Sequence, residues 1–488
     1  MQLSRRRFLR TGAAGSAALL VPGVLDALLA RIAEGARLET RGYGPLLKDP
    51  GGLLDLPAGF SYRALSTAVL GSTHDPRFSQ LLSNGEPVPA LHDGMGAFRG
   101  PRDLVVLVRN HEVWPGQGPR VDEARVRPYD RLGTGGTTTL WVDSERKLVR
   151  AFPSLSGTFR NCAGGVTPWG SWLSCEECTF MPGPLDPRSY DQTPAVSERH
   201  GYVFEVDARA EGLVEPNPIK AMGRFYHEAV AVDPATGFVY LSEDRGDGLL
   251  YRYRPNVLTR GLKRPAQLAV GDLAKGGVLE ALRIAGMPSA LTQNWHSRAF
   301  LPGRKWGVDW IAIPNTDPEI DMERDPNDRE PDPLKRGGRT APTSTRAQGF
   351  RLGAAQFART EGILYTKGSV HFCCTDGGEK GAGQVWRLEL ASQELSLAVE
   401  PNDMALLDGP DNLTVAPNGD LLVCEDGKDE NFLVGITREG RLYRMAKNAC
   451  NGSELCGACF SVDRRTLFVN IQNPGTTFAI EGPWGQRA

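Results

Sequence analysis

Apolar and polar residues alternate in short runs along most of this chain, and run after run ends on an acid or an amide. Residues 229–244 read AVAVDPATGFVYLSED, 412–426 read NLTVAPNGDLLVCED and 457–472 read GACFSVDRRTLFVNIQ. Residues 165–177 and 362–376 are looser versions, while 104–112 and 306–317 carry only the second half. A period of two marks a strand with one buried face, and the Pro, Asn and Gly between the halves supply a turn. A second element follows several of these runs: Gly, any residue, apolar, aromatic, any residue, apolar. It occurs at 201–206, 248–253, 383–388 and 440–445. Two alternating strands, a turn and a third strand after a loop make the pattern of a propeller blade. The chain is therefore expected to be all-β, a β-propeller of six blades or seven, with long inter-strand insertions.

The acid-bearing ends fall near positions 112, 177, 243, 317, 376, 425 and 472. If they are equivalent, repetition brings scattered carboxylates to one region around a central channel. The Asp, Glu, Arg and Pro of residues 316–349 predict a solvated loop or lid.

Composition narrows the function. The 488 residues carry a net charge of −2, which offers no field for a polyanion, so no nucleic-acid partner is expected. Fifty-seven Gly and 35 Pro favour turns and short strands over helices. Nine cysteines are an odd number, so at least one thiol stays outside any intramolecular disulfide. Ser4-Arg5-Arg6-Arg7-Phe8-Leu9-Arg10 has the layout of a twin-arginine export signal. The apolar run that follows, 13–29, is short and rich in Gly and Ala, too mild for a stable membrane span. Residues 1–38 are read as the signal and 39–488 as a single propeller catalytic domain. The twin-arginine machinery would carry it, already folded, to the periplasm or the medium, and a monomer is expected.

The chemistry starts from residues 157–177, GTFRNCAGGVTPWGSWLSCEE. Cys175, Glu176 and Glu177 are consecutive, and such a cluster is costly to place without a positive partner. A thiolate and carboxylates repel each other, so a multivalent cation is the natural one. Glu112, Glu228, Glu243, Asp244, Glu361, Asp376, Glu425 and Asp426 extend the set of candidates. Hard oxygens suit Ca²⁺, Mg²⁺ or Fe³⁺, and one thiolate points to a transition metal as well. Zinc would recruit more Cys or His. His111 and His227 each precede a Glu. Adjacent strand residues face opposite ways, so one of each pair enters the site, and the Glu is the choice. Arg359, two residues before Glu361, shares its face on a strand and could take a phosphate bidentately or pair with the neighbouring acid. Cys175 and Cys178 form a CxxC, yet no helix starts there for a redox site. No GxSxG, Walker loop or HExxH is present.

These pieces together resemble the PhoX-type alkaline phosphatases, exported β-propeller enzymes. The matching residues are the twin-arginine start, Asn110-His111-Glu112, Gly135-Gly136-Thr137-Thr138-Thr139, and Asn161-Cys162-Ala163-Gly164-Gly165 with Thr167-Pro168-Trp169-Gly170, through Cys175-Glu176-Glu177. They continue with His227-Glu228-Ala229, Ser242-Glu243-Asp244, Arg359 with Glu361-Gly362, Gly409-Pro410-Asp411-Asn412, and Gly457-Ala458-Cys459-Phe460 through Gln472-Asn473-Pro474-Gly475.

The resemblance implies hydrolysis of a small phosphate monoester at an iron (Fe³⁺) and calcium cluster held by carboxylates and one cysteine. Cys175 would be the iron-bound thiolate. Glu243 and Glu361 would share the iron and calcium ions, and Glu112, Glu176 and Glu228 would complete the metal ligands. Arg359 would grip the phosphate with Asn110 beside it, and Arg359, Cys175 and Glu361 would carry the catalysis. The chain departs from the pattern in being shorter and in adding Cys178, Cys373, Cys374 and Cys424. Two other readings fit an exported propeller. A calcium-dependent lactonase or phytase-like hydrolase would need the acids but no thiolate. A non-catalytic binding propeller would need neither Cys175 nor Arg359 in its pocket.

Overall fold

The computed structural model describes residues 40–68, 77–114, 120–121, 128–185, 194–257, 268–324 and 338–485. The export signal assigned to 1–38 lies outside them. Among the described residues, short antiparallel strands build nearly everything, and no helix is long and apolar enough to cross a membrane.

Six strands define the axis: β1 (His92–Arg99), β2 (Asn161–Val166), β3 (His227–Val232), β4 (Thr360–Thr366), β5 (Pro410–Val415) and β6 (Leu455–Phe460). Each packs beside the next, and β6 returns to β1, so they close a ring in a propeller-like arrangement. Each is the edge of a sheet that runs outward. The β6 sheet is completed by Ser61–Thr67 from the other end of the chain, which pairs with Thr476–Glu481 and ties the two ends together. The sheets of β3 and β4 join at their outer edges through Lys305–Ala312, which pairs with both Gly277–Ile284 and Glu394–Val399. The core lies between neighbouring sheets, as where Leu422, Cys424 and Leu433 pack on Leu467, Val469 and Phe478.

The ring strands crowd at the axis. A Cβ on Gly94 would lie 2.5 Å from the Ala163 backbone, and one on Gly362 2.7 Å from that of Asn412. The same strands line a largely apolar channel of about 520 Å³.

Every ring strand begins with the same irregularity. Its register against the following strand slips between His92 and Met95, Asn161 and Gly164, His227 and Val230, Thr360 and Ile363, Pro410 and Leu413, and Cys456 and Cys459. A bulge inserts one residue and re-aims its side chain. Here the inserted positions are Asp93, Cys162, Glu228, Glu361, Asp411 and Gly457.

Three sequence expectations change. The acid end at 317 is not equivalent to the others, because Lys305–Ala312 is an outer strand with no ring strand before it. The element at 440–445 that begins with Gly440 belongs to Leu442–Asn448, and Phe432–Ile436 is the strand that follows Leu421–Glu425. The insertion at 316–349 is anchored where it is described, 325–337 lying outside the described residues. Its helix α1 (Thr345–Arg351) is capped by the Ser344 hydroxyl, which accepts from the Ala347 N–H. Arg346, fully buried, donates to Asp321 at 2.7 Å and to Glu243 at 3.0 Å. Cys162, Cys175, Cys373, Cys374, Cys424, Cys456 and Cys459 are free thiols.

Candidate metal and phosphate site

The bulges turn Asp93, Cys162, Glu228, Glu361 and Asp411 toward one end of the channel. A second tier comes from the residues just past the strands paired with the ring: Glu112, Glu177, Asp244 and Asp426. Glu454, just ahead of β6, joins them and donates to Asp411. Donor atoms of Cys162, Glu177 and Glu228 all lie within 4.8 Å of one another, as do those of Glu228, Glu361 and Asp411. Glu228 belongs to both groups. The Glu177 carboxyl is also in hydrogen-bond contact with Asp244.

The electrostatics of this crowd are those of buried acids that repel one another. Burial, then Glu361 and Asp411, push Glu228 well above the usual carboxylate range. Burial and then Glu112 do the same to Asp93, and burial and then Asp426 bring Asp411 up to about 7. The Cys162 thiol is raised by burial, then by Glu228 and Glu177. Every one of these directions would reverse beside a multivalent cation, which favours thiolate and carboxylate together. The donor set fits such ions. Glu228, Glu361 and Asp411 offer oxygen alone, as calcium prefers, and Cys162 adds the soft sulfur of a transition-metal site.

Arg160, Arg245 and Arg359 all act on the acids of this cluster. Arg359 donates from Nε and Nη2 to the two Asp244 oxygens at 2.8 and 3.0 Å, and from Nη2 to Glu361 at 2.9 Å. Burial alone would raise Asp244, but this guanidinium holds it below the usual range. Strand alternation does not bring Arg359 to Glu361. Arg359 is in a left-handed conformation, φ 51°, between two strands, and Glu361 is the bulge residue just after it. Arg160 lies ahead of β2, as Arg359 lies ahead of β4.

The structure brings Glu112, Glu228 and Glu361 into the cluster and leaves Cys175, Glu176, Glu243 and Asn110 outside it. Cys175 lies on the regular part of Ser171–Glu176, opposite Val203, and packs with Leu173 and Val203 in an apolar cluster. The thiol grouped with carboxylates within 4.8 Å is that of Cys162, while Cys175 feels Glu228 from its place in the ladder. Glu176 is consumed by protein donors: the N–H groups of Phe159, Gly201 and Tyr202 at 3.0, 2.8 and 3.2 Å, and His200 Nδ1 at 2.7 Å. Glu243 accepts from Leu249 N–H, the Tyr251 hydroxyl and Arg346. Glu425 likewise accepts from Asp408 and Phe432 N–H groups. These three end their strands and fasten the loops around them. Asn110 donates to the carbonyls of Cys162 and Ala163 and accepts from Trp172 and Ser174, so it braces β2.

His111 and His227 are buried and bonded to protein, His111 to the Ala90 carbonyl and Thr138, His227 to the Gly223 carbonyl. Cys178 packs with Phe159 and Phe180, away from the cluster. Sequence reasoning did not select Asp93, Cys162, Asp411 or Glu454 as ligands. Asp93, Cys162 and Asp411 reach it through one-residue bulges, which alternation alone does not reveal, and Glu454 from the residue just ahead of β6.

The comparisons bear on the fold and the family. The profile of the family described as alkaline phosphatase PhoX matches residues 41–475. Among solved structures, Pseudomonas fluorescens PhoX in complex with vanadate, a transition-state analogue, superposes with a TM-score of 0.63 at 19% identity, over 93% of this chain and 99% of that one. A gluconolactonase from Xanthomonas campestris reaches 0.33 at 11% identity, over 86% of this chain and 97% of that one. No curated protein sequence matches.

Proposed function

Since this chain belongs to the alkaline phosphatase PhoX family, metal-dependent enzymes that hydrolyse phosphate esters, we propose that its phosphatase centre is the Cys162–Glu228 cluster, loaded with iron and calcium. The observation that carries this reading is the thiol of Cys162 held within 4.8 Å of the Glu177 and Glu228 oxygens. Iron belongs beside Cys162, and calcium beside the all-carboxylate group of Glu228, Glu361 and Asp411, with Glu112, Asp93 and Asp426 completing the shell. Bound there, the ions would act as Lewis acids toward a phosphoryl oxygen. Arg359 receives the phosphoryl oxygens of a monoester and offsets their charge, its plane aimed by Asp244 and Glu361.

The lactonase reading loses ground to the thiol, which a calcium-only site does not need. Six blades fit the closed ring of β1 to β6, with the sheets of β3 and β4 counted as two blades fused at their outer edges. A twin-arginine start, a periplasmic or secreted location and a monomeric state complete the proposal.

The decisive experiment is elemental analysis of the purified protein alongside a phosphatase assay before and after chelation. Iron and calcium are expected together. Activity should fall on chelation and return when both ions are restored. Zinc alone, or no transition metal, would contradict the proposal.

Arg359→Lys keeps the charge and loses the planar two-pronged donor. The expected cost is about 1–3 kcal/mol, roughly five- to a hundred-and-fifty-fold in kcat/KM, with metal content retained and phosphate a weaker inhibitor. Normal turnover and normal phosphate inhibition would reduce Arg359 to an ion-pair partner, and outright loss of metals would make it a support for the acids.

A further inference from the structure

We propose that Arg160 is a second phosphate-binding arginine, which with Arg359 forms a two-sided clamp selective for the dianion of a phosphomonoester. The inference rests on the reading of Arg359 given above.

Repetition carries the argument. Arg160 and Arg359 each lie just before a bulged ring strand, β2 and β4, and both are left-handed, at φ 43° and 51°. Leu91 and Gly409 hold the same conformation ahead of β1 and β5, at φ 47° and 59°. The turn therefore does not require an arginine, and glycine is the residue that adopts it without strain. Each arginine also clamps the acid contributed by the preceding sheet. Arg359 holds Asp244, and Arg160 donates from Nε and Nη2 to Glu112 at 3.0 and 2.9 Å.

The two arginines are linked. Arg160 Nη2 meets Glu177, Glu177 contacts Asp244, and Asp244 holds Arg359. The guanidiniums thus sit at the two ends of one carboxyl pair, facing the same cluster. Arg160 Nη1 is fastened to the Glu177 carbonyl at 2.8 Å, and its guanidinium lies 5.1 Å from the centre of the Trp114 ring. The Arg160 side chain is 18% exposed and that of Arg359 32%, so both guanidiniums are held in place by these partners and both reach the rim. Glu112 and Glu177 would hold cations at this cluster, and with their charge so offset the Arg160 donors would be available to an anion. Two forks match the three charged oxygens of a terminal phosphate better than the single negative charge of a diester.

The test compares Arg160→Lys and Arg160→Gln with the parent, using metal-loaded full-length protein. Three quantities are read: iron and calcium by elemental analysis, inorganic phosphate affinity by calorimetry, and KM for an aryl phosphate monoester against the corresponding diester. Arg160→Lys is expected to keep both metals, to bind phosphate about tenfold more weakly, and to raise KM for the monoester more than for the diester. Phosphate affinity within twofold of the parent in a metal-replete Arg160→Lys protein would overturn the clamp. So would loss of metals from both variants, which would make Arg160 only a counter-charge for Glu112 and Glu177. Normal phosphate binding by Arg359→Lys would instead sink the reading of Arg359 while leaving the Arg160 measurement to stand or fall separately.

Discussion

Cys162→Ala is expected to lose transition metal and about a hundredfold or more of phosphatase activity, because even the outer partners of metal ligands are worth roughly 10–100-fold. Cys175→Ala is expected to keep both. The two thiols are close in the fold, both buried in the same apolar cluster, so either truncation should cost a similar ~1–2 kcal/mol of stability. Stability therefore cannot account for a difference in activity. What separates them is aim. Cys162 is the inserted residue of the β2 bulge and reaches Glu177 and Glu228, whereas Cys175 continues the regular ladder opposite Val203. Elemental analysis and turnover of the two variants, with melting temperatures as a control, decide the matter. Equal losses in the two, or loss confined to Cys175→Ala, would return the thiolate to the strand end and dismantle the proposed centre.

The same pair of cysteines explains what could be read in the sequence. Alternation marked the strands correctly around 165–177, 229–244 and 412–426, because a half-buried strand must alternate whatever its partners. It also placed the acids at strand ends. It could not tell the last residue of a strand from the one after it, and that single step decides the role. Glu176, Glu243 and Glu425 are last residues and bind loop donors, while Glu177, Asp244 and Asp426 come next and face the cluster. The bulges were hidden for a related reason. A one-residue insertion leaves composition and periodicity almost unchanged, yet it moves Asp93, Cys162 and Asp411 from the sheet face to the axis. The pairing of Arg359 with Glu361 was anticipated for the wrong geometric reason, since a left-handed residue followed by a bulge produces the contact.

Glu176→Gln is expected to lower stability by about 3–5 kcal/mol while leaving iron and calcium in place, the pattern of a broken buried ion pair and not of a lost ligand. Glu176 and Asp130 flank the His200 ring at 2.7 and 3.3 Å, with no side-chain exposure on any of the three. Arg224 donates to the His200 carbonyl, and the Tyr129 ring packs edge-on against the imidazole. Burial would lower His200, but Glu176 and then Asp130 raise it from 6.5 to about 9. The folded value lies above the unfolded one, so the stabilisation is complete below pH 6.5, declines above it and is gone beyond about pH 9. The gap between 6.5 and about 9 corresponds to about 3 kcal/mol. The difference in melting temperature between parent and Glu176→Gln should therefore be largest at pH 6 and narrow steadily toward pH 10. A difference that stays constant with pH would show that the backbone donors to Glu176, not His200, carry its contribution. Loss of calcium in the variant would return Glu176 to the metal ligands.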